Sequence, residues 1–165
     1  MQTDTQILNW IQTEVQESTN EWLALTFRVG GTFSNGFGLQ QSPWRQPEKI
    51  KTALAWTISA ARRRLKGKNL RFCGYLGGDD LADVFPHIHA LMEVPFGNTS
   101  KEIIEVLRPY WQQMIERKFI RNLKSSVYQD SVISSSNYLH YIARYEGETF
   151  GSGDSKLVLN RSFLF

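Results

Sequence analysis

His87 and His89 stand two apart in the run Pro86-His87-Ile88-His89-Ala90-Leu91-Met92. On a strand, residues i and i+2 point to the same face with Cα atoms about 6.5–7 Å apart, so two imidazoles can converge on one metal ion. A surface or hydrogen-bonded histidine pair is the plainer reading. Ile88 and Ala90-Leu91-Met92 nevertheless supply an apolar strand, on which histidine is costly unless its nitrogens find partners. A metal needs a third ligand. Glu93 shares the face but lies about 13 Å along the strand from His89, which is too far. Asp79, Asp80 and Asp83 sit in the turn leading into the histidine strand; Asp79 and Asp80 are the favoured pair, and the sequence does not choose between them. Two imidazoles, one carboxylate and open water positions suit Mn²⁺ or Mg²⁺ acting on phosphate oxygens, although imidazole also accepts zinc and other transition metals.

The second constellation is Tyr138, Tyr141, Arg144 and Tyr145 in NYLHYIARYEG. At helical spacing the three tyrosines lie near one face, with Arg144 beside them. Such a stripe ordinarily packs a core. Tyrosine, with a pKa of about 10, is a weak nucleophile, so a catalytic reading needs something to activate it and something to polarise its target. A metal at His87 and His89 would polarise a phosphodiester, and Arg144 would stabilise phenolate or phosphate charge. His140 is turned about 100° from Tyr141 on a helix and is incidental.

Positioning these groups requires a particular set of elements. Thr3 to Ser18 reads as a short amphipathic helix with Ile7, Ile11 and Val15 on its stripe, and Glu21 to Val29 as a strand ended by Gly30-Gly31. Thr32 to Pro47 is a long loop carrying Phe33, Phe37 and Trp44 among polar residues. Ile50, Leu54, Ile58, Ala61 and Leu65 give a helix from Glu48 to about Lys66. Its last turn carries Arg62, Arg63, Arg64 and Lys66, which suits the negative end of the helix dipole as well as it suits a phosphate. Leu70 to Leu76 and His87 to Val94 are strands that pair as a hairpin. Thr99 and Glu102 form a capping box for a helix that Pro109 should kink or split. Lys124 to Ile133 reads as a fourth strand, Ser134 to Tyr145 as a helix, and Lys156 to Phe165 as a last strand or docked extended segment. The order is helix, β-α-β-β-α-β, helix: an α+β fold with a ferredoxin-like antiparallel sheet and helices packed on it.

The 165 residues suffice for one domain with a real core. No apolar run approaches the ~18 residues of a membrane span, so no membrane partner is expected. Without a visible signal peptide, and with Cys73 as the single cysteine, the expected compartment is the reducing cytoplasm. The net charge of +3 hints only mildly at a polyanionic partner. Ten Phe, six Tyr and five Trp make 13% of the chain, enough for some to face a ligand instead of the core.

Taken in order, these residues resemble the HUH endonucleases, the replication initiators, relaxases and transposases that nick single-stranded DNA. Leu23-Ala24-Leu25-Thr26-Phe27 is similar to the family's first motif, an apolar strand with a central Thr. His87-Ile88-His89 matches the second, and Tyr141-Ile142-Ala143-Arg144 the third, with Arg where Lys is usual; Tyr141 and Tyr145 also match a two-tyrosine variant. The resemblance covers about residues 21–147, leaving an N-terminal helix and a C-terminal strand as flanks of a single 1–165 nuclease domain. It implies a metal-dependent nickase and strand transferase that starts plasmid or phage rolling-circle replication at a single-stranded DNA origin. Tyr141 would be the nucleophile, Tyr145 a second one, and His87, His89 and Asp79 or Asp80 the ligands. Arg144 would neutralise charge but not shuttle a proton, because guanidinium stays charged. Arg62, Arg63, Arg64, Lys66 and Trp44 would grip the strand, with stacking worth about 1–3 kcal/mol per base. No phosphate-binding loop of the G-x-x-x-x-G-K-[ST] type occurs, so a host or separate helicase, and a polymerase, would be partners. The competing expectations are a non-catalytic nucleic-acid-binding module that stacks bases on exposed sheet aromatics and needs no metal, and a relaxase or transposase with the same nicking chemistry.

Overall fold

A computed structural model describes residues 4–29, 47–66, 69–77, 87–119, 121, 123–130 and 157–159. Along the chain these form helix α1 (Asp4–Glu17), strand β1 (Trp22–Val29), helix α2 (Pro47–Arg64), strands β2 (Phe72–Gly77) and β3 (His87–Glu93), helix α3 (Ser100–Lys118), and strands β4 (Ser125–Gln129) and β5 (Leu157–Leu159). The result is an α+β structure. Its sheet has the order β4-β1-β3-β2-β5, and every neighbouring pair is antiparallel. The histidine strand is therefore central. The expected helix over 134–145 and the 32–46 loop lie outside the described residues.

Alternation along the strands sorts the sheet into two faces. Leu23, Leu25, Phe27 and Val29 of β1 fall on the same side as Ile88, Ala90 and Met92 of β3, Phe72 and Leu76 of β2, and Val127 of β4. They meet Ile50, Ala53, Leu54, Ile58 and Ala61 of α2 and Ile103, Leu107, Trp111 and Ile115 of α3 in one buried core. The 3.6-residue spacing read from the sequence is thus the packing stripe of each helix. The opposite face carries the other parity: Thr26, Cys73, Tyr75, His87, His89 and Glu93. Helix α1 is tied to this side, since Arg71 Nη1 donates to Glu14 at 2.9 Å while the same guanidinium pairs with Glu93.

Pro109 does not split α3, which runs as one helix from Ser100 to Lys118. Proline removes the amide that would bond the Glu105 carbonyl, but Pro109 and Glu105 are both exposed residues, on the side of the helix away from the core. Buried Leu107 and Trp111 hold the chain against the core on either side of the proline. At the N-terminus of α3 the Thr99 side chain accepts from the Glu102 amide at 3.2 Å, as expected. The Glu102 carboxylate accepts from Asn98 Nδ2 at 2.9 Å. No helix among the described residues is long and apolar enough to cross a membrane.

Candidate active site

Register builds the site. On the central strand, His89 lies opposite Thr26 of β1 and Tyr75 of β2, and His87 opposite Arg28 and Gly77. Directly paired residues share a face, so all of these side chains belong to the side away from the helical core. The two imidazoles are neighbours, with ring centroids 4.7 Å apart and planes at 73°. The sequence-based placement of His87 and His89 side by side on one strand face is what the structure contains.

Strand β4 adds a residue that the sequence reading passed over. Tyr128 pairs with Thr26, and Asp130, two residues on, keeps the same face while its amide donates to the Ala24 carbonyl at 2.9 Å. Thr26 thereby stands between a histidine and a carboxylate. Its Oγ1 is 2.9 Å from His89 Nδ1 and donates to Asp130 Oδ1 and Oδ2 at 2.9 and 2.8 Å. His89 Nδ1 and Asp130 Oδ2 are 3.6 Å apart, too long for a direct bond. Arg28 is the second omission: it lies across from His87, and its Nε donates to Tyr128 Oη at 3.0 Å. It brings a permanent positive charge to the histidine face. Only the strand register reveals either residue, because Asp130 is 41 positions from His89 in sequence and Arg28 is 59 from His87.

On this face Thr26 is 0%, Tyr75 1% and His87 5% exposed, while His89 is partly exposed. Cys73 also lies there, and burial pushes its thiol up to about 12, so the free thiol stays protonated at neutral pH.

The two imidazoles fit a metal that prefers nitrogen and oxygen donors. Among the described residues, no group of three His, Cys, Asp or Glu could hold an ion, and the Asp130 carboxylate is engaged by Thr26 on the Nδ1 side of His89. A third donor must come from elsewhere. Asp79 and Asp80 lie outside the described residues, as do Trp44, Tyr138, Tyr141, Arg144 and Tyr145.

The basic run is not brought to the histidines. Arg62, Arg63 and Arg64 end α2, in the helical layer. Arg62 Nη2 bonds Asn69 Oδ1 at 3.2 Å, just before the start of β2, where Phe72 pairs with Met92. Met92 is three residues from His89 and five from His87 along β3, about 10 and 16 Å. The groove beside Arg64, of about 750 Å³, is also lined by Glu102 and Glu105, a mixed charge that does not favour a phosphate backbone.

Gly74 holds β2 close to the site strand. A Cβ there would stand 2.5 Å from the His89 carbonyl oxygen and 3.0 Å from Ala90 Cβ. Both belong to the central strand and cannot swing aside. Gly74→Ala is expected to lower the unfolding free energy by about 1–3 kcal/mol, the usual cost of overpacking. Urea unfolding checks this, and an unchanged midpoint would show that the strands part without strain.

No protein-family model matches the chain, and neither a curated protein nor a solved structure does.

Proposed function

We propose that this chain is a metal-dependent, site-specific nickase and strand transferase for single-stranded DNA, of the HUH type, which initiates plasmid or phage rolling-circle replication. The observation that carries this reading is the adjacent His87 and His89 imidazoles on the central strand. We read the order β4-β1-β3-β2, reached through β-α-β-β-α-β connectivity, as a ferredoxin-like sheet, the scaffold that the resemblance requires. Arg28 beside His87 adds a charge suited to a phosphate.

In this mechanism His87, His89 and Asp79 or Asp80 hold Mn²⁺ or Mg²⁺. The ion supplies polarisation of the scissile phosphate. The Tyr141 phenolic oxygen, giving up its proton, bonds to phosphorus; the bond from phosphorus to the 3′ oxygen breaks, and that oxygen leaves as a 3′-hydroxyl after taking a proton. A 5′-phosphotyrosyl link remains, and the 3′-hydroxyl serves a separate polymerase. Arg144 and Arg28 neutralise charge around the phosphate, and Tyr145 acts as the second nucleophile that closes the cycle.

The test incubates the protein with a randomised pool of single-stranded oligonucleotides and Mn²⁺ and seeks a denaturation-resistant protein–DNA adduct. The adduct is expected with the native chain and absent with Tyr141→Phe. Persistence in Tyr141→Phe would remove the assigned nucleophile, and no adduct from the native chain would overturn the nickase.

A further inference from the structure

A threonine hydroxyl carries one proton, and an ionised carboxylate can only accept. With Oγ1 at 2.8–2.9 Å from both Asp130 oxygens, the Thr26 proton is directed to the carboxylate. The same oxygen is 2.9 Å from His89 Nδ1, so it meets that nitrogen with its lone pair. A hydrogen bond then forms only if Nδ1 carries hydrogen. In a neutral imidazole one nitrogen holds the proton and the other the lone pair; a proton fixed on Nδ1 leaves the lone pair on Nε2. The opposite polarity would leave two acceptor oxygens of Asp130 facing the Thr26 oxygen at 2.8–2.9 Å with no proton between them.

We infer that Thr26 and Asp130 are positioning residues for His89, a hydroxyl–carboxylate relay that sets its tautomer so that Nε2 presents the lone pair. The relay is built into the fold. Thr26 lies across from His89 on one side and from Tyr128 on the other, so β1 carries the bridge between two strands that are not neighbours in the sheet. Metal-binding histidines generally give their second nitrogen's hydrogen to a carboxylate, carbonyl or water, which orients the ring. Here a hydroxyl is interposed because the carboxylate is 3.6 Å from Nδ1. The consequence for metal binding rests on reading His89 as a ligand; the tautomer itself does not.

Long-range ¹H–¹⁵N correlation spectra of the full chain with ¹⁵N-labelled histidine, without metal and at an alkaline pH where the spectra show neutral imidazoles, read the tautomer directly. His89→Gln assigns the signals. The native protein is expected to show protonated Nδ1 and lone-pair-bearing Nε2 at His89. Asp130→Ala removes the acceptor, so the Thr26 hydroxyl turns to donate to Nδ1 and the tautomer reverses or mixes. Thr26→Val, nearly isosteric, also lets it mix, and Thr26→Ser restores the native pattern. A lone pair on Nδ1 in the native protein, or a pattern unmoved by both Asp130→Ala and Thr26→Val, would overturn the relay.

Mn²⁺ titration of the same samples separates the relay from the nickase. Thr26→Val is expected to weaken binding about 10–100-fold, with Thr26→Ser close to native. The expected spectra with no Mn²⁺ binding by the native chain would uphold the relay and sink the metal site. Native Mn²⁺ binding with a tautomer indifferent to Thr26 and Asp130 would do the reverse.

Discussion

Trp111→Ala is expected to lower the unfolding free energy by about 3–5 kcal/mol, the range for deleting a large buried aromatic. Trp111 is fully buried at the centre of α3 and meets the Phe27 ring edge-on, with centroids 5.4 Å apart. Its Nε1 donates to the Arg28 carbonyl at 2.9 Å. The substitution thus opens a cavity, removes an aromatic pair and leaves a strand carbonyl without that donor. Trp111→Phe separates these effects: it keeps most of the ring and loses the N–H, at an expected cost of about 1–2 kcal/mol for the hydrogen bond. Urea unfolding should show a lower midpoint with an unchanged slope if the denatured state is unaffected. A loss below about 1 kcal/mol for Trp111→Ala would mean that the core closes over the gap. The Arg28 carbonyl lies on the strand pair opposite His87, so this packing fault sits directly behind the site.

How much of this was legible in the sequence follows from what sets each feature. Local periodicity fixed the helices and strands: Ile50, Leu54, Ile58 and Ala61 predict the buried stripe of α2, and Leu23, Leu25 and Phe27 the core face of β1. The side-by-side histidines were equally local, because strand geometry alone puts i and i+2 on one face. Whether Pro109 splits its helix depends on tertiary surroundings that periodicity does not show, and α3 runs through it unbroken. Asp130 and Arg28 were invisible for the same reason. Their neighbours are chosen by register between strands distant in sequence, and a shift of one residue would send Asp130 to the other face. The Arg62–Arg64 run is local in the same way, and chain direction then places it at the far end of the sheet from the histidines, in the helical layer.

Removing the imidazoles one at a time should abolish tight Mn²⁺ binding in both cases. Changing an outer partner of a metal ligand costs about 10–100-fold in affinity, so loss of a ligand itself, in His87→Ala or His89→Ala, is expected to exceed about 100-fold. The DNA adduct should disappear in parallel. His89 is also bound to Thr26, so His89→Ala gives up a hydrogen bond worth about 0.5–1.5 kcal/mol. His87→Ala leaves the Thr26–Asp130 bonds in place. Isothermal titration with Mn²⁺, run beside urea unfolding, distinguishes ligand loss from unfolding: both variants should lose metal under conditions where urea unfolding shows them still folded. Mn²⁺ binding unaffected by either change would remove the histidines from any metal site and favour a metal-independent nucleic-acid-binding module. That module would need exposed sheet aromatics, whereas Tyr75 beside His89 is buried and Tyr128, on the β4 edge, is the exposed large aromatic on this face among the described residues. A metal-independent result would therefore also require DNA to be held at the sheet edge, where Tyr128→Ala should then weaken binding by about 1–3 kcal/mol for a stacked base.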